Sequence, residues 1–309
     1  MTVKTFRETL KAGRFIVTAE VGSIKGSDTT RMIENIGLLY DKVHALNATD
    51  NKSSVMRFPS LGTCLLVKDL GGEPILDVVC RDRNRLAIQA DLLFAWSRGI
   101  TNVLCLTGDS IEFGDDKQAK PVFDLDCSQL ISLVKALNSG KDMAGNELTG
   151  GTDFCIGVTA TSKLDEPQQA KLQKKLQEGI DFILMQAAYD IDELKRLMAF
   201  VRKSDGKVKV IVGIMPLVSV AMGNYMNSNV PGIFVPRQIL EKMAEAPRGK
   251  AISTGIELAM KMIKQLKEEK ICDGVHIMFP GHEERIPEII EAAGLSEREV
   301  TSGDKKVAA

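Results

Sequence analysis

Short apolar runs rich in valine and isoleucine recur along the chain, most of them followed by a longer stretch with apolar residues at i, i+3 and i+4. The runs fall at 14–21 (RFIVTAEV), 43–49 (VHALNAT), 73–80 (EPILDVVC), 102–108 (NVLCLTG), 153–160 (DFCIGVTA), 181–188 (DFILMQAA), 207–215 (KVKVIVGIM) and 273–279 (DGVHIMF). Runs that stay apolar instead of alternating are the habit of parallel strands covered on both faces. The intervening segments predict helices, among them 28–42, 85–99, 127–140, 166–179 and 190–203. Gly99, Gly140 and Gly179 stand just before the next strand, where a left-handed helix terminus favours glycine.

Eight such units in 309 residues predict an α/β fold, a single-domain (β/α)8 TIM barrel over residues 1–300 followed by a polar, frayed tail at 301–309. An open doubly wound sheet is the alternative, since periodicity alone does not close a ring. Two stretches break the rhythm: a polar loop at 110–126, and 217–250, with extra turns, helix and Pro231, Pro236 and Pro247. Both follow strand ends, the face on which barrel enzymes bind ligands.

Charge narrows the function. Lys+Arg 40 against Asp+Glu 41 leaves a net charge of -1, so nothing points to an electrostatic grip on nucleic acid or on an anionic membrane. The six cysteines include no CxxC pair and only three histidines accompany them, so no metal site is expected. Cys80, Cys105 and Cys155 lie inside apolar runs and read as buried thiols of a reducing, cytoplasmic compartment. The first fifteen residues have no long apolar h-region, and no apolar run approaches the roughly 20 residues of a membrane span.

In a barrel the strand tips converge on one mouth. Here they carry Glu20; Asn47, Thr49 and Asp50; Cys80, Arg81 and Asp82; Thr107, Gly108 and Asp109; Thr159; Gln186; Met215 and Pro216; and His276. Glu20 interrupts an apolar run. A carboxyl against a hydrophobic wall suits general-acid work; the plainer reading is partnership with an Arg or Lys at the barrel mouth. Gly108 permits close approach of backbone to a ligand, with Asp109 beside it; otherwise LTGD is a simple βα turn. Gln186 offers donor and acceptor to a heterocycle, or is a buried amide satisfied by backbone. No Rossmann or P-loop pattern is present. Charge crowds the tip of the third strand, CRDRNR at 80–85. Arg81 and Arg83, with Asp82 orienting one of them, suit phosphate or carboxylate recognition. Alternatively they form an Arg–Asp network that clasps neighbouring loops.

Taken in order, TAEV, NATDN, CRDRNR, LTGD, AKPVFDLD, LMQ, GIMP and GVHIMF resemble the methylenetetrahydrofolate reductases, in particular the short bacterial and acetogen-type members. The resemblance spans roughly residues 10 to 290. It implies a flavoprotein barrel that reduces 5,10-methylenetetrahydrofolate to 5-methyltetrahydrofolate, a step of one-carbon metabolism serving methionine biosynthesis. It also implies FAD as cofactor, with FMN as the alternative, and NAD(P)H or a partner redox protein as electron donor, in a homo- or hetero-oligomer. Glu20 takes the place of the acid that protonates the folate amine, and Asp109 lies close to flavin and pterin. Gln186 and His282 fall on the folate side. Asn47, Thr49, Arg81, Asp82, Arg83, Thr107, Gly108 and Lys175 fall around the flavin. Thr107 stands where many members have arginine, the region of Asp126 where others have an aromatic, and VGSIKG lacks the family's proline pair. Two rival readings are a pterin-binding methyltransferase without flavin and a non-catalytic barrel subunit of a redox complex.

Overall fold

A computed structural model describes residues 5–295 of the chain. Within them eight parallel strands close into a barrel in sequence order: β1 (Ile16–Val21), β2 (Ala45–Ala48), β3 (Pro74–Val79), β4 (Asn102–Leu106), β5 (Cys155–Ala160), β6 (Phe182–Ala187), β7 (Lys209–Ile214) and β8 (Gly274–Ile277). Each falls inside its predicted run. The helices are α1 (Phe6–Lys11), α2 (Thr30–Leu39), α3 (Ser60–Asp69), α4 (Arg85–Ser97), α5 (Cys127–Asn138), α6 (Glu166–Gln177), α7 (Ile191–Ser204), α8 (Val220–Asn229), α9 (Arg237–Ala244), α10 (Ala251–Glu268) and α11 (Ile286–Ala292). The proposed tail at 301–309 lies outside the described residues. No helix among the described residues is long and apolar enough to cross a membrane.

Closure is made by β1 against β8, with Thr18 level with His276, and β1 runs beside β2 with Glu20 level with Asn47. Gly99, Gly140 and Gly179 have φ of 74°, 78° and 75° and end α4, α5 and α6 in the left-handed conformation expected of them.

Two apolar layers hold the fold. The outer one fills the space between strands and helices. The inner one is smaller: Ile16, Ala45, Ile75, Leu104, Cys155, Phe182, Leu184 and Ile211 meet Phe6 and Leu10 of α1. This short helix plugs the amino-terminal end of the barrel, with Phe6 edge-on to Phe182 at 5.3 Å. A capping box between Thr5 and Glu8 starts it. Six residues are too few for a periodic signal, which is why the hydrophobic pattern leaves α1 unassigned.

Counting by twos from the inner layer assigns the inward positions nearer the mouth. Thr18 and Glu20, Asn47 and Thr49, and Asp77 point inward on β1 to β3 and their ends; His276 does so on β8. The floor of the mouth is therefore polar on the β8–β3 side. Over the other side, the insertion after β7 forms α8 and α9. Leu217, Met226, Val235 and Met243 give it a small core of its own.

Candidate active site

Glu20 ends β1 almost buried, 8% exposed. Its partner comes from the loop after β2. Lys52 Nζ donates to both carboxylate oxygens, each at 2.8 Å. The loop that delivers Lys52 is strained: Asn51, Ser53 and Ser54 all have left-handed φ, at 42°, 57° and 59°. Each such residue costs about 1 kcal/mol or more, so the surroundings must over-determine it.

Arg81 supplies that restraint. It is 1% exposed, and all five of its N–H groups are used within the protein. Nε and Nη2 grip the two Asp82 oxygens, Nη2 also donates to the Asn51 carbonyl, and Nη1 donates to Ser54 Oγ and the Asp109 carbonyl. Ser54 Oγ in turn donates to the Ser110 carbonyl at 2.8 Å, and Asn51 Nδ2 donates to Asp82 at 3.0 Å. One guanidinium thus ties together the loops after β2, β3 and β4. Gly108, at φ 93°, lets the third loop lie flat on it; a Cβ there would stand 3.0 Å from Arg81 Cβ. Burial alone would raise the Asp82 carboxyl, but hydrogen bonds from Arg81 and Asn51 and the charges of Arg81 and Arg83 outweigh it and hold it below its ordinary range. Of the two readings of CRDRNR, this geometry is the clasp. Arg81 has no N–H left for a ligand.

Arg83 differs. It pairs with Asp50 and with Asp91, while its Nε is buried without a hydrogen-bond partner among the described residues. Thr49 Oγ1 is likewise buried and unpartnered. Two orphaned donors on one rim fit a bound molecule rich in acceptors, as a flavin is. Asp50 accepts from the Val79 amide at 3.2 Å; burial raises its carboxyl, and Arg83 opposes the rise.

Beside Glu20 lies a buried polar group, with Asn47 at its own level. Asn47 Nδ2 donates to Asp77 Oδ1 at 2.6 Å, and burial pushes the Asp77 carboxyl well up despite that bond. His276 Nδ1 shares a 2.9 Å hydrogen bond with Thr18 Oγ1. Burial lowers the imidazole to about 4, more than the nearby Glu20 charge raises it, so His276 is neutral at physiological pH.

The remaining predicted residues sit around the same rim. Thr107 and Asp109 are exposed beyond β4, with the Asp109 carbonyl held by the clasp. Gln186 is exposed and lies where the pairing of β6 with β7 shifts register, between Leu184 and Ala187. Its Oε1 lies where a Cβ on Gly232 would come within 2.9 Å, so Gly232 of the insertion after β7 stands beside this side chain. Lys175 reaches from α6 to donate to the Thr159 carbonyl at 2.9 Å, two strands further round than Arg81. His282 stands half-buried beyond β8 with its ring 5.1 Å from that of Phe279. Asp126 caps α5 through a capping box with Gln129. The structure thus gathers Glu20, Asn47, Thr49, Arg81, Asp82, Arg83 and Gly108 on the β1–β4 side, with Lys175, Gln186 and His282 spaced round the rest. Sequence reasoning missed Lys52 and Ser54. Parallel pairing of β1 with β2 was the available clue, because it places any cation just after β2 beside Glu20.

Fold and rim together define a barrel whose mouth carries a nearly buried carboxylate paired with a partly exposed ammonium. The chain belongs to the methylenetetrahydrofolate reductase family, whose model matches residues 5–294. It is 23% identical over 239 residues to methylenetetrahydrofolate reductase 1 of Schizosaccharomyces pombe, covering 74% of this chain and 36% of that protein. With methylenetetrahydrofolate reductase 2 of the same yeast the identity is 25% over 240 residues, covering 71% and 35%. The alignments thus span about a third of the length of these relatives. Among solved structures, an uncharacterized protein from Clostridium thermocellum that binds two copies of 5-methyl-5,6,7,8-tetrahydrofolic acid superposes with a TM-score of 0.64 at 15% identity. That match covers 94% of this chain and 98% of the other. At such identity the likeness is one of fold.

Proposed function

We propose that this protein reduces 5,10-methylenetetrahydrofolate to 5-methyltetrahydrofolate with a bound flavin, FAD in preference to FMN. The observation that carries the proposal is Glu20: a nearly buried carboxyl near the end of a barrel strand, pointing inward beside a polar layer. Family membership supports it, as does the methyltetrahydrofolate held by the Clostridium thermocellum barrel of like fold.

Thr49 Oγ1 and Arg83 Nε, both unpartnered, would hold the flavin together with the backbone at Thr107 and Gly108, Asn47 and Lys175. When bound, the flavin supplies the hydride. The chain's own residues do the rest. Gln186 presents an amide to the pterin edges, Asp109 holds the pterin from the β4 side, and His282 lies toward the folate beyond β8. Glu20 carries a proton on the oxygen facing the folate amine. As the five-membered ring opens, the carbon–nitrogen bond breaks, its electron pair stays on the departing nitrogen, and that nitrogen takes the Glu20 proton. The carbon is left as an iminium. Arg81 and Asp82 keep the three loops in register, so orientation is set before the substrate arrives.

The test is a visible spectrum of the purified protein saturated with flavin, bleached by reductant and then mixed with methylenetetrahydrofolate. Return of the yellow colour with formation of methyltetrahydrofolate is expected. Absence of flavin uptake, or colour that stays bleached, overturns the reading. Uptake of methyltetrahydrofolate without flavin would instead mark a pterin methyltransferase.

A further inference from the structure

The Lys52–Glu20 contact poses a problem for the acid just described. One ammonium occupies both oxygens of the carboxylate, while a general acid needs a proton on one of them and a free line to the amine. We propose that Lys52 is a substrate-displaced counter-ion: it holds Glu20 ionised while the mouth is empty and leaves when the folate arrives, which couples folate binding to uptake of a proton by Glu20. The inference rests on the folate reading above.

Three observations carry it. First, the two partners differ in access. The Glu20 side chain is 9% exposed and that of Lys52 is 42% exposed, so Lys52 can move into water at little cost while Glu20 stays in place. Second, the backbone that bears Lys52 is fixed. Arg81 holds the flanking Asn51 and Ser54, and Gly114 packs so closely on the Ser54 carbonyl that a Cβ would overlap it. The movable part is therefore the flexible lysine stem, not the loop. Third, the other titratable groups near Glu20 offer no substitute charge. His276 on β8 is kept neutral by burial. Asp77 on β3 and Asp50 after β2 bring no positive charge, and burial drives both toward their protonated forms. With Lys52 gone, a carboxylate at Glu20 would be a buried charge without a direct counter-ion, the condition that favours the neutral acid.

The protons balance. On binding, one proton passes from solvent to a Glu20 oxygen, and Lys52 keeps its own three. At ring opening that proton moves to the folate nitrogen, and the carboxylate is again free to pair with Lys52.

The test is calorimetric binding of methylenetetrahydrofolate to the flavin-loaded, oxidised protein, which cannot turn the substrate over. It is run between about pH 6 and pH 9 in two buffers of different ionisation heat, on the wild type, Lys52→Met and Lys52→Arg. The wild type should take up close to one proton per folate at about pH 8, with affinity weakening toward tenfold per pH unit. Lys52→Met should take up markedly less and bind at least about threefold tighter at that pH, the gap closing toward pH 6. Lys52→Arg keeps the ion pair and should keep the uptake. If Lys52→Met retains the wild-type proton count and pH profile, or if the wild type binds with no uptake, the inference is overturned while the folate reading stands. No binding by the wild type at any pH overturns both.

Discussion

Arg81 and Asp82, neighbours in sequence, face each other as a two-pronged ion pair, Nε to Oδ1 and Nη2 to Oδ2, both at 2.7 Å. Adjacent residues rarely need each other's charge. Here the pair fixes the plane of a guanidinium whose other N–H groups hold two further loops. Removing Arg81 takes the counter-ion from Asp82 and a donor from each of the Asn51 and Asp109 carbonyls. Arg81→Ala is expected to lose about 3 kcal/mol of stability in urea unfolding, within the range for breaking a buried pair. Arg81→Lys should recover little, since an ammonium cannot reach acceptors on three loops at once.

The same pair sets an acid limit. Asp82 is held below its ordinary value, so the stability it contributes is present above its unfolded value of about 3.9. That stability is lost as the pH falls through the lower folded value. Urea midpoints measured from about pH 6 down to pH 3 should fall less steeply in Asp82→Asn than in the wild type.

Asp77 predicts the opposite sign. Its carboxyl is raised by burial, so its contribution is complete below the unfolded value near 3.9 and is lost as the pH rises toward the folded one. Asn imitates the protonated acid and can still accept from Asn47. Asp77→Asn should match the wild type in stability near pH 4 and exceed it by about 1 kcal/mol or more at pH 8. Denaturation at the two pH values checks this, and equal differences at both would remove Asp77 from the account.

Much of the barrel was legible because parallel strands announce themselves as unbroken apolar runs and because Gly99, Gly140 and Gly179 mark the helix ends. Glu20 was legible for the converse reason: it violates such a run. Lys52 went unread although the pairing of β1 with β2 pointed to it, because the loop that carries it turns through left-handed backbone at Asn51, Ser53 and Ser54, which the serines do not announce. The role of Arg81 was open for a related reason. Charge at a strand tip is visible in sequence, but whether three loops converge on it is a fact of tertiary structure. Gln186 stood on the right strand, yet it falls at a register shift between β6 and β7 that residue types do not encode.

The plug at the amino-terminal end gives a packing prediction. A Cβ on Gly157 of β5 would overlap the ring of Phe182, which itself packs on Phe6. Gly157→Ala should cost about 1–3 kcal/mol, the usual range for overfilling a tight core. Adding Phe182→Leu should return part of that loss by freeing the space. A double mutant no more stable than Gly157→Ala alone would place the strain elsewhere.

Glu20→Gln separates chemistry from structure. Glutamine keeps the shape of the side chain and an oxygen that Lys52 can still reach, so the fold should be preserved to within about 1 kcal/mol, the scale of a partly exposed ion pair. Flavin uptake should also be unchanged, because the residues proposed to hold the cofactor, Thr49 and Arg83 among them, keep their neighbours. What the amide cannot do is hand over a proton, and a positioned general acid is worth about 10²–10⁴ in rate. Folate-driven return of flavin colour in stopped flow should therefore slow by at least about a hundredfold while reduction of the flavin by a chemical donor proceeds as before. A variant that reoxidises at the wild-type rate would mean that the amine finds its proton from water or from another group on the rim, and Glu20 would then be a partner for Lys52 and nothing more.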